Sequence, residues 1–253
     1  MNNPTGTEII PNISVDCVVF GFDVDTKSIS VLLIERCLKE KRTNNFIIND
    51  HVLTGYHVLI NETLDETASR VLKELTGLTN QYKKQFKVFG NPNRLMNEKD
   101  IVWAKSENFN LRTLTVAYYF LLPTSEVGLE NVKKNAKWFP VNNLPELGFD
   151  HKEIIKEAYE DLKIKSLHSP IIFELLPDKF TIKELQDIYE SVLGIKIDNR
   201  NFRRKVLKKK YIIPLDEKQL GVSKKPSQLF MFSKDIYLKI DKKGYLINDS
   251  YPI

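Results

Sequence analysis

The sequence predicts an α+β chain in two parts, a strand-rich sandwich over residues 1–164 and a small helical domain over 165–253. Three observations carry this. Runs of β-branched and aromatic residues recur through the first part, beginning with SVDCVVFGFDV and SISVLLIE. Two amphipathic helical segments interrupt those runs, which is the pattern of a layered α/β or α+β sandwich. The charge also divides: residues 1–164 hold 20 basic and 22 acidic side chains, while 165–253 hold 18 and 11. With 42% hydrophobic residues, the 253-residue chain has enough apolar surface to offset its ordering entropy, which excludes disorder as the main state.

The first two strands span residues 14–34 and are joined by a turn at Asp25–Ser28. Residues 40–51 are polar and read as a loop. Between Gly55 and Leu78 the pattern is loop, helix, loop. Thr63 and Glu66 have capping-box spacing, Leu64, Ala68, Val71, Leu72 and Leu75 recur on one helical face, and Gly77 supplies the stop. FKVFGNP (86–92) and TLTVAYYFLL (113–122) read as strands separated by a polar insert at 93–111 that contains Trp103. A short strand at AKWFP and a helix over 149–165 complete the part.

In the second part, SPIIFELLP predicts a helix with Ser169 as cap and Pro170 in its first turn. Thr181 and Glu184 form a second capping box, and Ile182, Leu185, Ile188, Tyr189, Val192 and Leu193 make a core stripe ended by Gly194. Asp198 caps the following helix, DNRNFRRKVLKKK, in which Phe202, Val206 and Leu207 are the inward candidates. Two helices with so short a turn have helix-turn-helix form, and the strand-like YIIPL and SQLFMF supply a wing. Eight basic residues against one acid between Lys196 and Lys210 suit a polyanion, although charge alone fits a solvated surface equally well. Arg200, Asn201, Arg203, Arg204 and Lys208 are the candidates for double-stranded DNA, with Lys224 and Lys225 in the wing. Arginine and asparagine suit base edges, and lysine suits phosphate.

The segment from Gly55 to Leu78 resembles the Nudix signature, G-x5-E-x7-R-E-U-x-E-E-x-G-U, in which glutamates hold Mg²⁺ against a pyrophosphate. Glu62, Arg70, Glu74, Gly77 and Leu78 match it. Tyr56 stands at the glycine position, and Val71 and Leu75 replace two glutamates. A hard divalent cation needs several oxygen ligands, so these losses predict no metal, no cofactor and no catalytic residues. Across Ile13–Lys239 the whole is similar to the Nudix-related transcriptional regulators, through ELTGL, TVAYYFLL, LGFDH and IFELLPDKFTIKELQDIYE…DNRNFRRKVL.

That resemblance implies a homodimer that binds a palindromic operator and senses a small molecule, either a sugar such as L-arabinose or a nucleotide-sugar. Arg70, Glu74, Arg112, Tyr118, Asp150 and His151 are the effector-binding candidates, whereas His57 reads as structural. The competing reading is a Nudix hydrolase of ADP-ribose-like nucleoside diphosphate derivatives. The longest apolar stretch, Val116–Leu122, is too short for a membrane helix, and no secretory signal is evident in the opening residues. Cys17 and Cys37 form no CxxC and read as a buried reduced pair. Together these predict a cytoplasmic protein.

Overall fold

A computed structural model describes residues 8–40, 46–107, 112–127, 135–220 and 226–241. It divides into two units, Met1–Gly21 with Ser30–Asp161, and Phe22–Ile29 with Leu162–Ile253. The sequence boundary at 164/165 and the structural division at 161/162 both fall inside one helix, His151–Ser166.

The first unit is a seven-stranded sheet with helices. Its strands are β1 (Ile9–Asp23), β2 (Ser28–Lys39), β3 (Phe46–Val52), β4 (Thr54–Leu59), β5 (Tyr82–Phe89), β6 (Leu114–Pro123) and β7 (Ala136–Pro140). The main path runs β3-β2-β1-β6-β5, with β4 paired to β1 and β7 to β2. Helices α1 (Leu64–Thr76), α2 (Glu98–Ser106) and α3 (His151–Ser166) complete it. Helix α1 starts at a full Thr63–Glu66 capping box and stops at Gly77, whose φ of 76° favours glycine. Its Ala68, Val71, Leu72 and Leu75 enter one core with Val15, Cys17 and Val19 of β1 and Tyr118 and Phe120 of β6.

Several segments differ from expectation for physical reasons. Residues 46–51, read as part of a loop, belong to β3, because Asp50 is not a turn signal there: it lies opposite Arg36 in the β2–β3 register. The stretch from Gly55, read as loop, begins inside strand β4. The polar insert contains α2, capped by Asn97. Cys17 is buried but Cys37 is exposed, so they are not a buried pair.

The second unit contains α4 (Ile182–Leu193), α5 (Asn199–Val206), strands β8 (Ile212–Lys218) and β9 (Gln228–Phe232), and α6 (Lys234–Asp241). Residues 170–175 form a 3₁₀ turn instead of an α-helix. Ser169 does not cap it; its hydroxyl donates back to the Lys165 carbonyl. The Thr181–Glu184 capping box and the left-handed Gly194 are both present. An aromatic core joins the turn to the wing, with Phe173 stacked on Phe232 at 4.3 Å and Tyr211 edge-on to both Phe232 and Tyr237. No helix of the described residues is long and apolar enough to cross a membrane.

Candidate functional site

Two places in the described residues carry chemistry. The first is a cavity of about 360 Å³ within the first unit. Strands β1, β2 and β4 supply Asp16, Glu35, Arg36, Tyr56 and His57, α2 supplies Trp103, and the 148–151 corner supplies Phe149 and His151.

Arg36 is the anchor of its wall, fully buried on β2. Its Nε and Nη2 donate to the two oxygens of Asp50 at 2.7 and 2.6 Å. Nη1 lies 2.8 Å from Asp100 on α2. The guanidinium sits 4.5 Å over Phe149 and 5.6 Å over Trp103. Burial opposes its charge, and the two carboxylates outweigh that and raise its pKa. Glycine is required at 148, since a Cβ there would fall on Arg36 Nη2. The adjoining Phe149 has φ 57°, a strained position for a bulky residue. Its N–H donates to both oxygens of Asp100 at 3.1 Å, so the carboxylate that faces Arg36 also fixes the turn.

Arg94 repeats the arrangement. It is bidentate to Asp150 at 2.8 and 2.7 Å and reaches Asp16 at 3.4 Å. His151 Nδ1 accepts from the Leu53 amide at 2.9 Å, which places the proton of the neutral ring on Nε2, 3.9 Å from Asp16. Burial pushes the pKa of both His151 and His57 down.

The six effector candidates separate here. His151 lines the cavity, and Asp150 stands behind it on Arg94. Arg70 is held by Glu62 at 2.7 Å and Glu74 at 3.3 Å, and lies over the Tyr56 ring at 5.4 Å. Neither Arg70 nor Glu74 lines the cavity. Tyr118 is in the core, its hydroxyl donating to Gln85 at 3.1 Å, and burial raises its pKa. Arg112 is exposed and outside the lining. His57, read as structural, lines the cavity and meets the Ile13 carbonyl at 3.3 Å. Asp16, Arg36 and Arg94 escaped sequence reasoning, because their partners lie 14 to 78 residues away.

The helix face that would hold Mg²⁺ does not fit a metal. Val71 and Leu75 are buried in the core, Glu62 is taken by Arg70 and Thr67, and Glu74 by Arg70. Among the described residues no group of three His, Cys, Asp or Glu could hold a metal ion.

The second place is α5. Asp198 caps it by accepting from the Asn201 amide. Phe202 and Val206 are fully buried, with Phe202 edge-on to Tyr189 of α4. Leu207, read as inward, is half exposed at the helix end. Arg200, Asn201, Arg203, Arg204 and Lys208 are all exposed, and Arg204 donates to Asn201 Oδ1 at 2.7 Å. The turn before α5 is fixed by Glu190, which accepts from Gln186 and from the Ile197 amide, while Gln186 donates to the Ile197 carbonyl. Burial pushes the Glu190 carboxyl up, but these bonds and Lys196 outweigh it and hold its pKa at about 2. Lys224 and Lys225 lie outside the described residues.

A sheet carrying a capped helix after β4, followed by a helix-turn-helix with a two-stranded wing, defines a Nudix-type domain joined to a winged helix. Comparison with known proteins agrees. Residues 172–232 match the NrtR DNA-binding winged helix domain. The ADPR responsive transcriptional repressor NtrR of Acinetobacter baylyi is 26% identical over 233 residues, covering 90% of this chain and 84% of that protein. NrtR of Shewanella oneidensis, solved with a 27mer DNA, superposes with a TM-score of 0.68 at 26% identity, covering 88% of this chain and 94% of that one. An ADP-ribose pyrophosphatase of Methanocaldococcus jannaschii is 31% identical over 149 residues, covering 58% of this chain and 72% of that enzyme. The chain belongs to the Nudix-related transcriptional regulators.

Proposed function

We propose that this protein is an effector-responsive repressor that binds a palindromic operator as a homodimer and releases it when a nucleotide-sugar of the ADP-ribose class occupies the cavity. The observation that carries the reading is α5: two apolar residues anchor it while Arg200, Asn201, Arg203 and Arg204, with Lys208 just beyond its end, face solvent. Such a helix supplies bidentate donors for base edges and cations for phosphates. The likeness to a repressor described as ADPR responsive supports the effector class over a free sugar such as L-arabinose.

The Nudix-type domain binds this effector without hydrolysing it. With Val71 and Leu75 in the core, the oxygen ligands that would position a cation on the diphosphate are missing. The pyrophosphatase relative gives the competing reading, a working hydrolase, and the same two residues argue against it.

Fluorescence anisotropy on the duplex upstream of the protein's own gene tests the proposal. Binding at least ~10³-fold tighter than to a scrambled duplex, relieved by ADP-ribose, is the expected result. Equal affinity for both duplexes at physiological salt contradicts it.

A further inference from the structure

The cavity has an unusual charge balance for a domain related to diphosphate-binding proteins. Its two guanidinium groups are already satisfied within the protein. Arg36 is chelated by Asp50 and faces Asp100. Arg94 is chelated by Asp150 and reaches Asp16. With Glu35 at the wall, five carboxylates surround two guanidinium groups. The lining histidines add no compensation, since burial favours their neutral forms. A diphosphate placed here would meet the Asp16 and Glu35 carboxylates and only guanidinium groups already ion-paired to carboxylates of the protein.

What such a wall holds well is hydroxyl groups. An ionised carboxylate only accepts hydrogen bonds, through about four lone-pair directions. O–H···O⁻ bonds are short and strong, and a vicinal diol matches two acceptors at once. The rings of Tyr56, Trp103 and Phe149 provide apolar walls for the C–H face of a sugar.

We infer that the cavity receives the uncharged, hydroxyl-rich end of the effector, a pentosyl ring held by Asp16 and Glu35, and leaves the phosphates outside. This rests on the reading of the first domain as the effector-binding domain.

Titration calorimetry on the full chain with ADP-ribose, ADP and D-ribose tests it, using the wild type, Asp16→Asn and Glu35→Gln, with thermal melts to confirm folding. The half-buried Glu35 serves as the second variant should Asp16→Asn fail to fold. ADP-ribose is expected to bind ~10-fold or more tightly than ADP, and each variant to weaken ADP-ribose by ~10-fold through a lost charged acceptor. A phosphate in the cavity demands the opposite sign, because removing a negative charge would tighten binding. Tightening by either variant, or equal binding of ADP and ADP-ribose, overturns the inference. Binding of D-ribose without ADP-ribose supports the cavity assignment while sinking the ADP-ribose reading. No binding of any probe overturns both.

Discussion

The cavity and helix α5 use charge in opposite ways. In the cavity, Arg36 and Arg94 are buried and each meets two carboxylates drawn from distant parts of the chain. On α5 and just past its end, Arg200, Arg203, Arg204 and Lys208 are exposed, and Arg204 donates to the neutral side chain of Asn201. Charges of the first kind hold the fold and have little left to give a ligand. Those of the second kind cost little to leave solvated and remain available to a polyanion. The comparison therefore predicts that removing an arginine from the first region costs stability, while removing one from the second costs binding.

The largest effect is expected from Arg36→Met. It strands Asp50 and Asp100 without their counter-charge and should lower unfolding free energy by about 3–5 kcal/mol, read from the urea midpoint. A loss below about 1 kcal/mol would show that the buried cluster is no anchor. Arg203→Ala should leave the midpoint within about 0.5 kcal/mol and weaken operator binding by about 1–3 kcal/mol. Unchanged affinity would remove α5 as the reader.

A smaller effect comes from Glu190, whose carboxyl is held at about 2 in the folded protein against an ordinary 4.5. The depressed value means that its contribution is present above pH 4.5 and is lost as pH falls from there toward 2. Glu190→Gln should flatten the stability of the second unit over that interval, and an unaltered slope would exclude Glu190 as the clasp of the turn. The smallest change is expected for Lys208→Ala. Losing a phosphate contact there should reduce the magnitude of the slope of log affinity against log salt by about 1 without altering sequence preference.

The same contrast explains what could be read from the sequence. Helix caps, apolar stripes and the exposed face of α5 are local patterns, and Thr63, Thr181, Asp198, Gly77 and Gly194 all perform the roles their spacing implies. The cavity is assembled from β1, β2, β4, α2 and the 148–151 corner, so no local period marks it. Asp50 looked like a loop residue until its register partner Arg36 was known. Tyr118 on the central strand and Arg70 on the helix read as ligand groups because both elements border the expected Nudix cleft; Tyr118 is packed into the core and Arg70 closes an internal ion pair. Trp103 stood out only as an aromatic in a polar insert, and its place beside Arg36 depends on the helix that the insert forms.

The proposed regulator couples a DNA-reading helix to a Nudix-type domain that binds its ligand without consuming it. A time course of operator anisotropy after addition of ADP-ribose and Mg²⁺, with the nucleotide followed in the same sample, addresses both halves. The expected result is that the duplex is released and stays released while ADP-ribose remains intact. Recovery of binding as ADP-ribose is converted to AMP would contradict it, because the domain would then be a working hydrolase.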